Sequence, residues 1–150
     1  MLEAGYEITL ADVNETLAAQ GMEGFEFKSG DGVFFRTGWG ALWGVDNEKF
    51  LSGEPGIWME VARWLTDEVQ AGVYGSDTGG TEVFPVNNPD SEGCVICVHD
   101  HMLTRHGIVH QEAMDLDGLS SDGVYTFMYV FTPMPIVGAT GSMGCPIAID

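Results

Sequence analysis

Ile57, Val61, Trp64 and Leu65 recur at the spacing of a helix buried along one face, and strand-like runs lie on both sides of them. This interleaving is the tightest constraint on the fold. A chain that alternates helical and extended periods buries its apolar faces by laying helices on a sheet. The class is therefore α/β or α+β, with a sheet covered by two main helices. The spacing predicts a helix over Ile57 to Val69, with Pro55 where a first turn tolerates it. Upstream, Thr9 is a helix N-cap with Asp12 three residues on, and that helix runs to Ala19 or Gln20 and stops at Gly21.

The extended segments are shorter. Phe25 to Lys28 alternates, Ser29 to Gly32 turns, and Val33 to Thr37 alternates again, which predicts strand, turn, strand. Gly38 to Gly53 is irregular, and Val73 to Gly75 is a short buried strand. Residues 79 to 93 carry glycine, asparagine and proline and read as a loop. Val95 to Val98 is a strand or the lead into a helix, His101 to Arg105 is helical, and Gly107 ends it. Val124 to Phe131 is β-rich, and Pro133 and Pro135 confine the residues around them to an edge strand or an irregular run.

A length of 150 residues suffices for one domain with a real core, and 45% apolar with 19% charged residues is a globular balance. The charge is lopsided, with 23 acidic against 5 basic residues and a formal net charge of −18. Such a surface repels a phosphate backbone, so nucleic acid is not an expected partner. It favours solubility, suits a salty environment and attracts divalent cations. The longest apolar stretch, Gly123 to Ile136, is broken by prolines and falls short of a membrane span, so no membrane partner is expected. No charged and apolar leader opens the sequence, which makes a cytoplasmic address the default. On the same ground Cys94, Cys97 and Cys145 read as buried thiols.

Chemistry concentrates in one place. All four histidines, His99, His101, His106 and His110, fall within twelve residues, with Asp100 and Glu112 beside them. Histidine is the commonest metal ligand, and His-x-His with a downstream glutamate suits zinc, manganese or iron. If Gly107 closes a helix, His99 at its start and Glu112 on the next strand converge at one sheet edge. His106 and His110 lie on either side of the turn and fit that direction less well. Cys94-x-x-Cys97 with His99 is another metal reading. In a strand, though, positions three apart face opposite ways, which places the thiols in the core. No Gly-x-Ser-x-Gly elbow is present, so a standard serine hydrolase is disfavoured.

Val98-His99, Met102-Leu103, His106-Gly107-Ile108, Glu112, Met114-Asp115-Leu116 and Leu119 resemble a segment of the cyclase-family hydrolases, which include kynurenine formamidase and isatin hydrolase. The likeness continues through Val124 to Phe127, Pro133 to Ile136, Gly138 to Ser142 and Pro146 to Ile149. Upstream it covers Gly5 to Thr9, Gly30-Asp31, Arg36 to Trp39, Pro55 to Ile57 and Gly75 to Thr78. The resemblance implies a three-layer β/β/α fold and hydrolysis of amide, lactone or ester bonds in a small carbonyl substrate, through metal-activated water with Mn²⁺ or Zn²⁺. It makes His99 and Glu112 metal ligands, His101 the competitor for the histidine role, and Ser142 a supporting hydrogen-bonding residue. The family's upstream His-x-x-x-His-x-Asp ligands have no counterpart, because no histidine precedes His99. The expectation is thus a truncated, C-terminal half of a family member, whose metal function is shared with another chain, rebuilt from neighbours, or lost.

The resemblance also implies a homo-oligomer, expected as a dimer, with Trp39, Trp43, Trp58 and Phe34-Phe35 as apolar groups that one short domain would not fully cover. Two other functional classes stand beside the metal hydrolase. One is a metal-free esterase with a Cys or Ser nucleophile and a His base. The other is a non-catalytic binding module.

Overall fold

The computed structural model describes residues 1–87 and 94–150. Two compact units make up the chain, Met1–Asp117 and Gly118–Asp150. The expected loop over residues 79 to 93 lies partly outside the described residues.

The first unit opens with β1 (Glu7–Ile8) and α1 (Leu10–Ala19). Thr9 caps α1 as its spacing predicts. Its hydroxyl accepts from the Asp12 amide, and the Asp12 carboxylate accepts from the Thr9 amide at 2.8 Å. Next come β2 (Gly32–Phe35), α2 (Asn47–Phe50) and β3 (Gly56–Ile57). Helix α3 (Met59–Trp64) continues as a wider π-helical turn through Val69 and leads into β4 (Val73–Ser76). Helix α4 (Cys97–His99) also widens into a π-helical stretch, Asp100–Arg105, before β5 (Val109–Gln111).

Strands β2, β4 and β5 form a parallel three-stranded sheet in that order, with Tyr74 opposite His110 and Gly75 opposite Gln111. Strands β1 and β3 pair in parallel as a separate ribbon. Helix α5 (Asp117–Asp122) starts on the last residue of the first unit and otherwise belongs to the second, which also holds the antiparallel pair β6 (Met128–Val130) and β7 (Ile147–Ile149). Small sheets, mostly parallel, therefore replace the single mixed sheet that the sequence leads one to expect. The long β-rich segment 124 to 131 yields only the three residues of β6.

Two local expectations fail for tertiary reasons. Phe25 to Lys28 does not form a strand, and no hairpin follows it. The Gly30 amide instead donates to the Gln70 carbonyl at 2.9 Å, and Gly72 donates to Asp31 at 3.0 Å. The turn is thus tied to the end of α3, leaving Phe27 edge-to-face on Trp64 at 5.3 Å. Helix α3 starts at Met59 rather than Ile57. Ile57 spends its backbone on Thr81 and Val83, donating at 2.9 Å and accepting at 3.0 Å, so its apolar spacing reflects burial in a strand.

The core lies where α3 and the α4 segment pack on β3 and β4, around Ile57, Val61, Leu65, Tyr74, Val98 and Met102. Trp39 and Trp58 are buried within this one chain, which removes two of the aromatic groups counted toward a dimer surface. Trp43 remains 64% exposed, near the exposed Val45 and Leu51. The cysteine reading is corrected more sharply. Cys94 and Cys97 are joined as a disulfide and only half-buried, and Cys145 is exposed. Residues 95 and 96 are bends and the helix begins only at Cys97, so the alternation of a strand does not keep the two sulfurs apart.

No helix among the described residues is long and apolar enough to cross a membrane. Ion pairs formed by the few basic residues, Arg36–Asp117 and Arg105–Asp100, are largely exposed and offset little of the −18 charge. Screening this self-repulsion should raise the melting temperature between dilute buffer and moderate NaCl. A flat or falling Tm in a salt series would show that the acidic groups are spaced too widely to matter.

Candidate metal centre

Because β2, β4 and β5 run parallel, their C-terminal ends share one edge, and the residues that come after β4 and β5 gather there. Ser76 ends β4, and Asp77 fixes the departure of the chain. Its buried carboxylate accepts from the Thr37 amide at 2.8 Å, the Thr37 hydroxyl at 2.7 Å and the Gly38 amide at 2.7 Å. The loop then returns through Gly79 and Gly80 to Thr81 and Glu82, both buried. Glu112 follows β5 directly, and His110 stands two residues before it on the same strand face.

His99, at the end of α4, is the centre of the arrangement. Its Nδ1 meets a Glu82 carboxylate oxygen, and its Nε2 lies 3.1 Å from Glu112 Oε1. The other Glu82 oxygen accepts from the Val98 amide at 3.0 Å, which anchors the carboxylate to the first turn of the helix it serves. Hydrogen bonds to Glu112 and Glu82 raise the His99 pKa to about 9, against the opposing effect of burial. The bond from His99 also lowers the Glu112 carboxyl pKa. His110 behaves in the opposite way. Burial, helped by the charge on His99, pushes its pKa down to about 4, so its imidazole is neutral. Its ring stacks on Tyr74 at 4.4 Å, its Nε2 is 2.7 Å from Thr81 Oγ1, and its Nδ1 is 3.5 Å from Glu112 Oε1.

Ligand atoms of His99, His110 and Glu112 all lie within 4.8 Å of one another. The structure thus brings together His99 and Glu112, and it does not bring His101 to them. His101 faces Thr66, with Nε2 3.1 Å from its hydroxyl, and packs on His106 at 4.4 Å. Asp100 pairs with Arg105 instead. Ser142 belongs to the second unit, where its exposed hydroxyl accepts from the Met134 amide at 3.2 Å. His110 joins the cluster despite the expectation that it would point elsewhere. Gly107, at a φ of +67°, turns the chain into β5, and His110 and Glu112 then alternate onto one face with Gln111 between them. That i, i+2 spacing was the available signal.

Glu54 adds a third carboxyl group. It accepts from the backbone of Gly79 at 2.7 Å and of Gly80, yet burial still raises its pKa to about 7. A Cβ placed on Gly80 would lie 2.9 Å from Glu54 Oε1 and 3.6 Å from His99 Cε1. Only a glycine leaves that space open between the carboxyl group and the histidine. The native state binds the Glu54 proton more tightly than the unfolded chain does, whose pKa is near 4.5. This contribution to stability is complete below pH 4.5 and is lost as pH rises through 7. Wild type should therefore lose on the order of 2 kcal/mol relative to Glu54→Gln between pH 5 and 8. Urea melts of chelator-treated protein would measure the difference, and parallel curves would contradict it.

Residues 2–83, more than half of the chain, match the family model described as "Putative cyclase". None of the curated proteins compared with the chain matches it. A crystal structure described as a novel cyclase is 28% identical over 99% of this chain and 49% of its own, with a TM-score of 0.78. Isatin hydrolase A from Ralstonia solanacearum is 21% identical over 98% of this chain and 54% of its own, with a TM-score of 0.69. Isatin hydrolase A from Labrenzia aggregata, bound to benzyl benzoate, is 20% identical over 97% and 53%, with a TM-score of 0.60. The last two are likenesses of fold, and the chain spans about half the length of all three structures. With the family match over its first half and the fold match over nearly its whole length, the chain belongs to the cyclase family.

Proposed function

We infer that this chain serves a metal-assisted hydrolase of small carbonyl compounds, acting on amide, lactone or ester bonds. The observation that carries the reading is the convergence of His99, Glu112 and His110 at the carboxyl edge of the parallel sheet. The donor set fits a divalent ion. Two imidazoles and one carboxylate are a common catalytic zinc set that keeps a further position open, and manganese takes the same ligand types. The surroundings fit as well, since a ligating histidine usually gives its other nitrogen to a carboxylate or similar partner, as His99 does to Glu82. When bound, such an ion supplies Lewis acidity toward a carbonyl and toward water.

The chain's own residues supply the rest. Glu82 and the Val98 amide hold the His99 ring so that Nε2 faces Glu112. Glu54, with a pKa close to neutrality, holds or releases a proton beside the Gly80 opening, the property required of a general acid or base. The disulfide removes the two thiols nearest the histidines from a nucleophile's role, which weighs against a metal-free thiol esterase. The homodimer extends this proposal, with the exposed Trp43, Val45 and Leu51 as its apolar contact, and light scattering would check it.

Purified chain loaded with Mn²⁺ or Zn²⁺ should hydrolyse members of a panel of esters, lactones and amides, and lose that activity on chelation. Turnover that survives full removal of metal would refute the metal-assisted reading. A folded, metal-loaded chain with no turnover would support the non-catalytic alternative.

A further inference from the structure

Helix α1 and the end of α3 border a groove that shares no residue with the candidate metal centre. Its volume is about 510 Å³, inside the range of small-molecule sites, and Glu23, Gly24, Phe25, Phe27, Trp64 and Glu68 are among the residues that line it. The groove lies beside the segments that lead into β2 and β4, whereas His99, His110 and Glu112 gather at the rim where the strands end.

Aromatic rings form much of its wall. Phe27 meets Phe25 edge-to-face at 5.0 Å and an interplanar angle of 82°, and it meets Trp64 in the same way at 5.3 Å and 88°. An edge-to-face contact covers one face of one ring, so these two contacts leave at least four of the six ring faces to other neighbours. Phe25 stays 39% exposed. The backbone holds the segment in this shape. The Met22 amide donates to the Leu17 carbonyl at 2.8 Å, the Phe25 amide to Met22 at 3.0 Å, and the Lys28 amide to the Asp31 carboxylate at 2.8 Å. Gly24 turns the chain at a φ of +76°, and a Cβ there would meet open space. The groove is thus built before any ligand arrives.

The charge of the lining selects among ligands. Its two charged side chains, Glu23 and Glu68, are both acidic, and neither is in an ion pair among the described residues. An anion would be repelled. A hard metal ion needs a shell of oxygen atoms that aromatic rings do not supply. A neutral apolar molecule would use the rings and leave the carboxylates idle. An organic cation uses both, since the ring faces attract a positive group and the carboxylates neutralise it. The net charge of −18 further raises the local concentration of cations. We propose that this groove is a binding site for a small organic cation, an ammonium or quaternary ammonium group on an apolar body, with Phe25, Phe27 and Trp64 as aromatic walls and Glu23 and Glu68 as counter-charges.

Benzyltrimethylammonium titrated into the full chain, followed by ¹H–¹⁵N NMR in moderate NaCl that screens general attraction, tests this directly. Saturable shifts are expected at the Trp64 indole N–H and at the amides around Glu23 to Phe27 and Glu68. Replacing both carboxylates, Glu23→Gln with Glu68→Gln, should weaken binding about three- to tenfold. Phe25→Leu should weaken it about two- to fivefold. The neutral 2,2-dimethyl-3-phenylpropan-1-ol, of similar bulk, should bind several-fold more weakly than the cation, and benzoate should not bind. Shifts that fail to saturate, or that spread over the whole acidic surface, would overturn the proposal. So would a double glutamine variant that binds as wild type does, or a neutral probe that binds as tightly as the cation. All three substituted residues are exposed, and if a variant nevertheless fails to fold, the comparison of probes on wild type decides alone. No metal takes part, so the result is independent of whether the candidate centre binds zinc.

Discussion

Glu112→Gln should lower the affinity for Zn²⁺ or Mn²⁺ by about a hundredfold, and hydrolysis should fall with it. The amide keeps the shape of the side chain but loses the anionic oxygen that lies 3.1 Å from His99 Nε2 and 3.5 Å from His110 Nδ1. In the proposed centre, losing one of three ligands is a larger disturbance than losing a supporting partner, which alone costs about ten- to a hundredfold in metal affinity. His99→Ala should weaken metal binding at least as much and should also lower the melting temperature. Glu82 is buried, and His99 is the cation that faces it, so the alanine variant leaves a carboxylate with the Val98 amide as its remaining partner. Calorimetric titration of metal into each chelated variant, followed by activity on the substrate panel, separates these effects. Metal affinity equal to wild type in both variants would show that the site is misassigned.

The largest effect on folding is expected at Asp77. Three donors from Thr37 and Gly38 converge on its carboxylate in a buried position. Asp77→Ala strands all three, and unsatisfied buried donors facing a lost charge should cost about 3–5 kcal/mol in total. Domains of this kind have about 5–15 kcal/mol of stability to lose, so the variant should be close to unfolding at physiological temperature. Asp77→Asn keeps one acceptor oxygen and should fall between it and wild type. Urea denaturation measures both. A loss below about 1 kcal/mol for Asp77→Ala would mean that solvent reaches Thr37 and Gly38 and replaces the carboxylate.

How much could be read from the amino-acid order depends on the range of the forces involved. The start of α1 was legible because a capping box is a contact between residues three apart. The body of α3 and strand β4 were legible because their apolar period reports which face is buried. The pairing of β2 with β4 was not, since parallel neighbours are separated by an entire helix and no local turn announces them. Within the candidate site, the meeting of His99 with Glu112 came from a helix, a glycine and a strand in succession. Glu54, Glu82 and Thr81 arrive from elsewhere in the chain, and each is an ordinary polar residue in sequence whose role comes from the burial that the fold imposes. The disulfide was missed because the thiols were weighed as if on a strand, whereas residues 95 and 96 are bends that bring Cys94 back to Cys97 at the start of α4.

The parallel direction of β2, β4 and β5 bears on how such a chain can change. Each strand delivers its last residue, Phe35, Ser76 or Gln111, to the same rim, while their first residues line the opposite one. Residues added or exchanged just after those three positions reshape the rim beside the cluster of His99, His110 and Glu112, above the hydrogen-bonded ladder. Changes of the same size before Gly32, Val73 or Val109 fall on the opposite rim, away from that cluster. A library that varies the three departing loops but keeps Asp77, Thr37 and Gly38, whose hydrogen bonds tie two of those loops together, would therefore alter the surroundings of the candidate metal centre while the strands beneath stay as they are.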